Sequence, residues 1–207
     1  KRLEEGLLAE SSDPAWAACL MAQSFLAERD FEQAEKWARK AVEMAVDDSY
    51  THCTLASILW KAARHEPAAE SIAHALDLER RADYLSIAAH LDCSLNRWDT
   101  AQALAEEGLA LDPDSAACAT ARYRAVYCRP NAQRDPEQGA SLLEACPDSI
   151  QALIAVAQNL VSSQPSQAYP LLHMALRLNP ESLRLRRACQ MTCGLPTARM
   201  YRLFSLV

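Results

Sequence analysis

Phe31-Glu32-Gln33-Ala34-Glu35-Lys36-Trp37-Ala38-Arg39-Lys40-Ala41-Val42 is followed thirty-four residues later by His65-Glu66-Pro67-Ala68-Ala69-Glu70-Ser71-Ile72-Ala73-His74-Ala75-Leu76. Ala34 and Ala68 are 34 residues apart, as are Ala41 and Ala75. A third copy runs Trp98-Asp99-Thr100-Ala101 to Gly108-Leu109 and closes on Asp112-Pro113, a step of 33. A later copy carries Ala168, then Ala175 and Asn179-Pro180, and Cys146-Pro147-Asp148 ends a weaker copy between them. Small residues that recur in this register let two helices approach closely, while the larger Met21, Phe25, Leu55, Leu59 and Leu76 fill the space between at 3- and 4-residue spacing. One such hairpin cannot bury its own apolar face, so the copies are expected to stack.

The rest of the composition agrees. The chain has 207 residues, 50% of them hydrophobic and 23% charged, with 39 Ala and only 4 Gly. Alanine is the strongest intrinsic helix former, and scarce glycine speaks against turn-rich β folds and glycine-loop nucleotide folds. The net charge of −6 disfavours a nucleic-acid binder, whose phosphate contacts need a basic face. No apolar run reaches the ~18–20 residues of a membrane span. The chain begins with Lys1, not Met, and is read as a segment of a longer protein. Eight cysteines form no CxxC pair, and Cys19, Cys53 and Cys93 fall within helical patterns as small buried groups, which fits a reducing, cytoplasmic setting. No metal or cofactor is expected, because the five His are scattered and no GxSxG, P-loop, HExxH or GxGxxG string occurs. Enzyme activity is not expected.

The repeat resembles the tetratricopeptide repeat (TPR) family, whose pattern places small residues at repeat positions 8, 20 and 27, an aromatic near 17 and Pro at 32. Ala22, Ala34 and Ala41 match in the first repeat, Ala56, Ala68 and Ala75 in the second, and Ala89, Ala101 and Gly108 in the third. Phe31 and Trp98 take the aromatic position, where His65 and Pro165 depart from the pattern. The resemblance implies an all-α, right-handed superhelical solenoid of antiparallel helix pairs. About five repeats are expected, near residues 15–48, 49–81, 82–115, 116–148 (degenerate) and 149–181, with a C-terminal cap over 182–207. Helices are predicted over Pro14–Glu28, Phe31–Ala45, Ser49–Ala63, Pro67–Leu78, Ala82–Leu95, Trp98–Leu111, Ser115–Tyr127, Pro136–Glu144, Ser149–Ser162, Ser166–Leu178 and Glu181–Thr192.

In that family the first helices of successive repeats line a concave groove through positions 2, 5, 9, 12 and 13. Here the resemblance implies a groove drawn from Trp16, Gln23, Tyr50, Ser57, Trp60, Lys61, Asp83 and His90, continued by Arg124 and Tyr127. The Lys-Asn-Lys-Arg set with which some co-chaperone repeats clamp a C-terminal carboxylate is missing, since Cys19, Gln23 and Cys53 stand in those places. The implied function is a non-catalytic scaffold that binds a peptide or helix of a protein partner, with no nucleic acid or membrane contacted. A bacterial secretion chaperone or adaptor is one form of it. The alternative is a regulatory or self-assembly domain of a larger protein such as a transcription regulator or transferase. Arg184, Arg186, Arg187, Arg199 and Arg202 against Glu181 give the C-terminal end +4 and leave −10 elsewhere, which would suit homo-oligomers formed through that end.

Overall fold

The computed structural model describes residues 11–130, 132, 136–160, 164–182, 185–186 and 189. Among them are ten α-helices and no strand: α1 (Pro14–Ala27), α2 (Phe31–Met44), α3 (Ser49–Lys61), α4 (His65–Leu78), α5 (Ala82–Ser94), α6 (Trp98–Leu111), α7 (Ala116–Tyr127), α8 (Pro136–Ala145), α9 (Ile150–Leu160) and α10 (Pro165–Leu178). Each agrees with its predicted span to within about one turn. Most of the eleventh predicted helix and of the C-terminal cap, including Arg184, Arg187, Arg199 and Arg202, and the N-terminal Glu4-Glu5-Gly6-Leu7 lie outside the described residues. The chain divides into two compact units, Lys1–Asp112 and Pro113–Val207.

In the first unit α1 packs on α2, α3 on α4 and α5 on α6, with the first helices α1, α3 and α5 also in successive contact. The local sequence explains why each helix begins. Asp13 and Asp30 accept from the backbone N–H of Trp16 and Gln33, each at 3.0 Å, and Asp48 accepts from Tyr50 N–H at 3.0 Å. Such N-caps satisfy donors that have no partner within the helix. Three-residue turns close the pairs, and in each the middle residue is left-handed: Arg29 (φ 64°), Ala63 (φ 61°) and Asn96 (φ 60°). The next N–H in each turn reaches back five residues, from Asp30 to Phe25, Arg64 to Leu59 and Arg97 to Asp92, at 2.8–2.9 Å. This is the Schellman helix end. It reverses the chain so tightly that the paired helices run antiparallel.

The small positions of the repeat carry the packing. Ala22, Ala34, Ala41, Ala56, Ala68, Ala75, Ala89 and Ala101 have no exposed surface, and Gly108 is buried. Leu55, Leu59, Ile72, Leu85 and Leu91 fill the core around them, and Trp37 lies buried against it. Replacing any of these alanines by a larger side chain would force the helices apart, at about 1–3 kcal/mol.

The second unit follows the same rule with one substitution of size. α7 packs on α8 and α9, and α9 on α10. Tyr123 falls at the eighth residue of its copy, where Ala22, Ala56 and Ala89 stand in the others, and it is buried. Opposite it lies Gly139, where an added Cβ would sit 3.0 Å from Val156 Cγ1 and 3.1 Å from the Tyr123 hydroxyl. The large residue and the glycine exchange volume between facing helices. Asn159 donates from Nδ2 to the Tyr123 hydroxyl at 2.8 Å and holds that ring in place.

Candidate functional site: the face of the first helices

The surface of α1, α3 and α5 in the first unit gathers eight of the residues proposed from sequence. At the N-terminal end of these helices Trp16 is 52% exposed, and Tyr50 is half-buried. Gln23 Nε2 donates to the Tyr50 hydroxyl at 2.9 Å and ties α1 to α3. At the other end Trp60 lies stacked over His90, ring centroids 5.7 Å apart and planes within 15°, which joins α3 to α5. His90 itself is buried, so it supports the exposed edge of Trp60 from beneath and offers a partner little surface of its own. Between these ends Cys19, Cys53 and Ser86 form a buried floor of small side chains, with Ser57 half-buried beside them.

The floor is chemically quiet. Burial pushes the Cys53 thiol up to about 12 and raises that of Cys19 as well, so neither supplies a thiolate near neutral pH. Among the described residues no three side chains of His, Cys, Asp or Glu gather as metal ligands.

Charge divides sharply between the two layers. α1 carries no charged side chain, α3 only Lys61, and α5 only Asp83 and Asp92, whereas α2 alone carries six and α4 and α6 three each. Both acids of the inner layer have cations. Arg81 Nε meets Asp83 Oδ1 at 3.0 Å. Asp92 accepts from the Thr100 hydroxyl at 2.8 Å and faces Arg97 Nη1 at 3.7 Å. Lys61 is exposed at the C-terminal end of α3, and no hydrogen bond or ion pair answers it among the described residues. The helix dipole favours a cation there.

Arg124 and Tyr127 belong to the second unit, on α7. Both are half-buried, and Tyr127 packs on that unit's core with its ring 5.1 Å from Tyr123. Sequence reasoning overlooked Leu20, which is 41% exposed one turn beyond Trp16. The i, i+4 spacing was its only signal.

No family model and no curated protein sequence matches the chain. Solved structures do. TTC0263, a thermophilic TPR protein in Thermus thermophilus, superposes with a TM-score of 0.74 at 16% identity, over 87% of this chain and 100% of that one. PilW, a widely conserved type IV pilus biogenesis factor, gives 0.66 at 16% identity over 94% and 91% of the two chains. YrrB, a TPR protein with an unusual peptide-binding site, gives 0.57 at 13% identity over 90% and 97%. The likeness is one of fold.

Proposed function

We propose that this chain, an all-α protein with the tetratricopeptide-repeat fold, is a non-catalytic scaffold that holds a peptide or helix of a partner against α1, α3 and α5. The observation that carries this reading is the row of partly exposed aromatics, Trp16, Tyr50 and Trp60, on one face of helices that are braced to one another. Large rings held rigidly lose little entropy on binding, which makes them the usual anchors of protein interfaces. Peptide binding in YrrB supports the same use of the fold, and pilus biogenesis in PilW supports an adaptor role in a bacterial assembly or secretion system. A cytoplasmic setting fits the cysteines of the described residues, which are free of disulfides and, apart from the half-buried Cys128, buried. A second reading, self-association as a regulatory or assembly domain, is favoured by the arginine-rich C-terminal sequence against an otherwise acidic chain.

The test is a lysate pull-down with the native chain beside a Trp16→Ala/Trp60→Ala variant, read by mass spectrometry, with circular dichroism to check that both are folded. A partner retained only by the native chain is expected. Equal capture by both, or capture of the chain alone, would move the site away from this face.

A further inference from the structure

The inner layer of the first unit, taken as the partner-binding face, also says what chemistry it accepts. A charged group brought onto it loses water and must find an opposite charge there to offset the cost. Toward the Trp60 end a basic partner side chain finds no acid to spare, because Asp92 is held by Arg97 and Thr100. At the other end Asp83 is held by Arg81, while the capping carboxylates of Asp13 and Asp48 meet no cation among the described residues. A carboxylate finds one, Lys61. The remainder of the face offers rings at its two ends and a floor of thiols and hydroxyls.

We propose that this face selects a partner segment with two apolar anchors and a carboxylate received by Lys61 beside the anchor that meets Trp60, an inference that rests on the scaffold reading above. Tyr50 and Trp60 are ten residues apart on α3, so their Cα atoms are separated by about 15 Å along the helix. That distance corresponds to about four or five residues of extended chain. Lys61 stands at the Trp60 end, which places the carboxylate within a residue or two of the anchor that meets Trp60. One ion pair at the exposed Lys61 contributes little and is only modestly screened, so affinity should vary little with salt.

A random dodecapeptide library displayed on phage, panned on the full chain, tests this directly. The best peptide is then labelled with fluorescein and titrated by anisotropy. The expected selection has two apolar residues four or five apart and one Asp or Glu beside one of them. Its Kd should change less than about threefold between 0.1 and 1 M NaCl. Lys61→Glu should weaken it about fivefold, and selection against that variant should replace the acid by Lys or Arg. Since Lys61 is exposed at a helix end, the variant is expected to fold, with unchanged circular dichroism. Peptides with no acid beside either anchor, whose binding is lost in Trp60→Ala, would overturn the proposed chemistry and keep the face as the site. No enrichment, or peptides indifferent to both Trp16→Ala and Trp60→Ala, would overturn the scaffold reading together with it.

Discussion

Arg29, Ala63 and Asn96 occupy the same left-handed turn position in three successive helix pairs, and none is glycine. A side chain at that conformation costs roughly 1–2 kcal/mol, which asparagine partly escapes through local hydrogen bonds. Ala63→Gly is therefore expected to raise stability by about 1 kcal/mol, and Asn96→Gly by less, since glycine also gains freedom in the unfolded chain. Urea unfolding would show a higher midpoint with the same slope. A lower midpoint for Ala63→Gly would mean the turn is not left-handed. Gly139 makes the opposite case. Gly139→Ala puts a methyl 3.0 Å from Val156 Cγ1 and 3.1 Å from the Tyr123 hydroxyl, and a loss of about 1–3 kcal/mol is expected. If the clash is the cause, adding Val156→Ala should recover part of the loss. Simple addition of the two effects would exclude it. The small-residue register was legible in sequence because alanine recurs. The exchange between Tyr123 and Gly139 was not, because it depends on which residues face each other across two helices.

At the scale of elements, ion pairs link successive helix pairs. Arg64, in the turn before α4, donates to Glu35 on α2 at 2.6 Å, and Arg97, one repeat later, meets Glu66 on α4 at 2.9 Å. Arg80 similarly meets Glu107 on α6 at 2.6 Å. Burial alone would push the Glu35 carboxyl up, but hydrogen bonds from Arg39 and Arg64 outweigh it and hold the group below its ordinary 4.5. A depressed carboxylate stabilises the fold above its unfolded pKa, and the contribution is lost as the pH falls through the folded one. Both arginines are about half exposed, so the magnitude is modest. Glu35→Gln is expected to cost about 0.5–1 kcal/mol at pH 7, with the difference from the native chain fading as the pH falls below 4.5. A cost that stayed constant to low pH would point to packing and not charge. The side chains of Asp13, Asp30, Asp48 and Ser115 cap the helices that follow them, a rule local to each helix start. Arg39 lies one turn from Glu35 and follows from helical spacing, but Arg64 and Arg80 lie 29 and 27 residues from Glu35 and Glu107, and no local rule supplies them.

Each of the two units has hydrophobic clusters of its own among the described residues. One is built on Ala18 through Leu91 with Leu104 packed against it, and the other on Tyr123 through Cys189. Repeats draw stability from their neighbours, and three stacked pairs are enough to bury a continuous core. Residues 1–112 alone are thus expected to keep helical circular dichroism and a cooperative urea transition, and a featureless, non-cooperative melt would show that the second unit completes the first core. The helix pairs, their period near 34 residues and the helical class were legible in the residue order, because periodicity is a property of neighbouring residues along one chain. The residue order also placed Trp16, Tyr50, Trp60 and Lys61 in the first helices of their repeats. Which of the proposed residues present surface and which support it came from packing between helices. His90 went beneath Trp60, Cys19 and Cys53 went to the floor, and Asp83 was matched by Arg81, while Lys61 kept its charge open. Exposure and pairing depend on what a second and third helix bring to a side chain, and that is set by packing between elements distant in sequence.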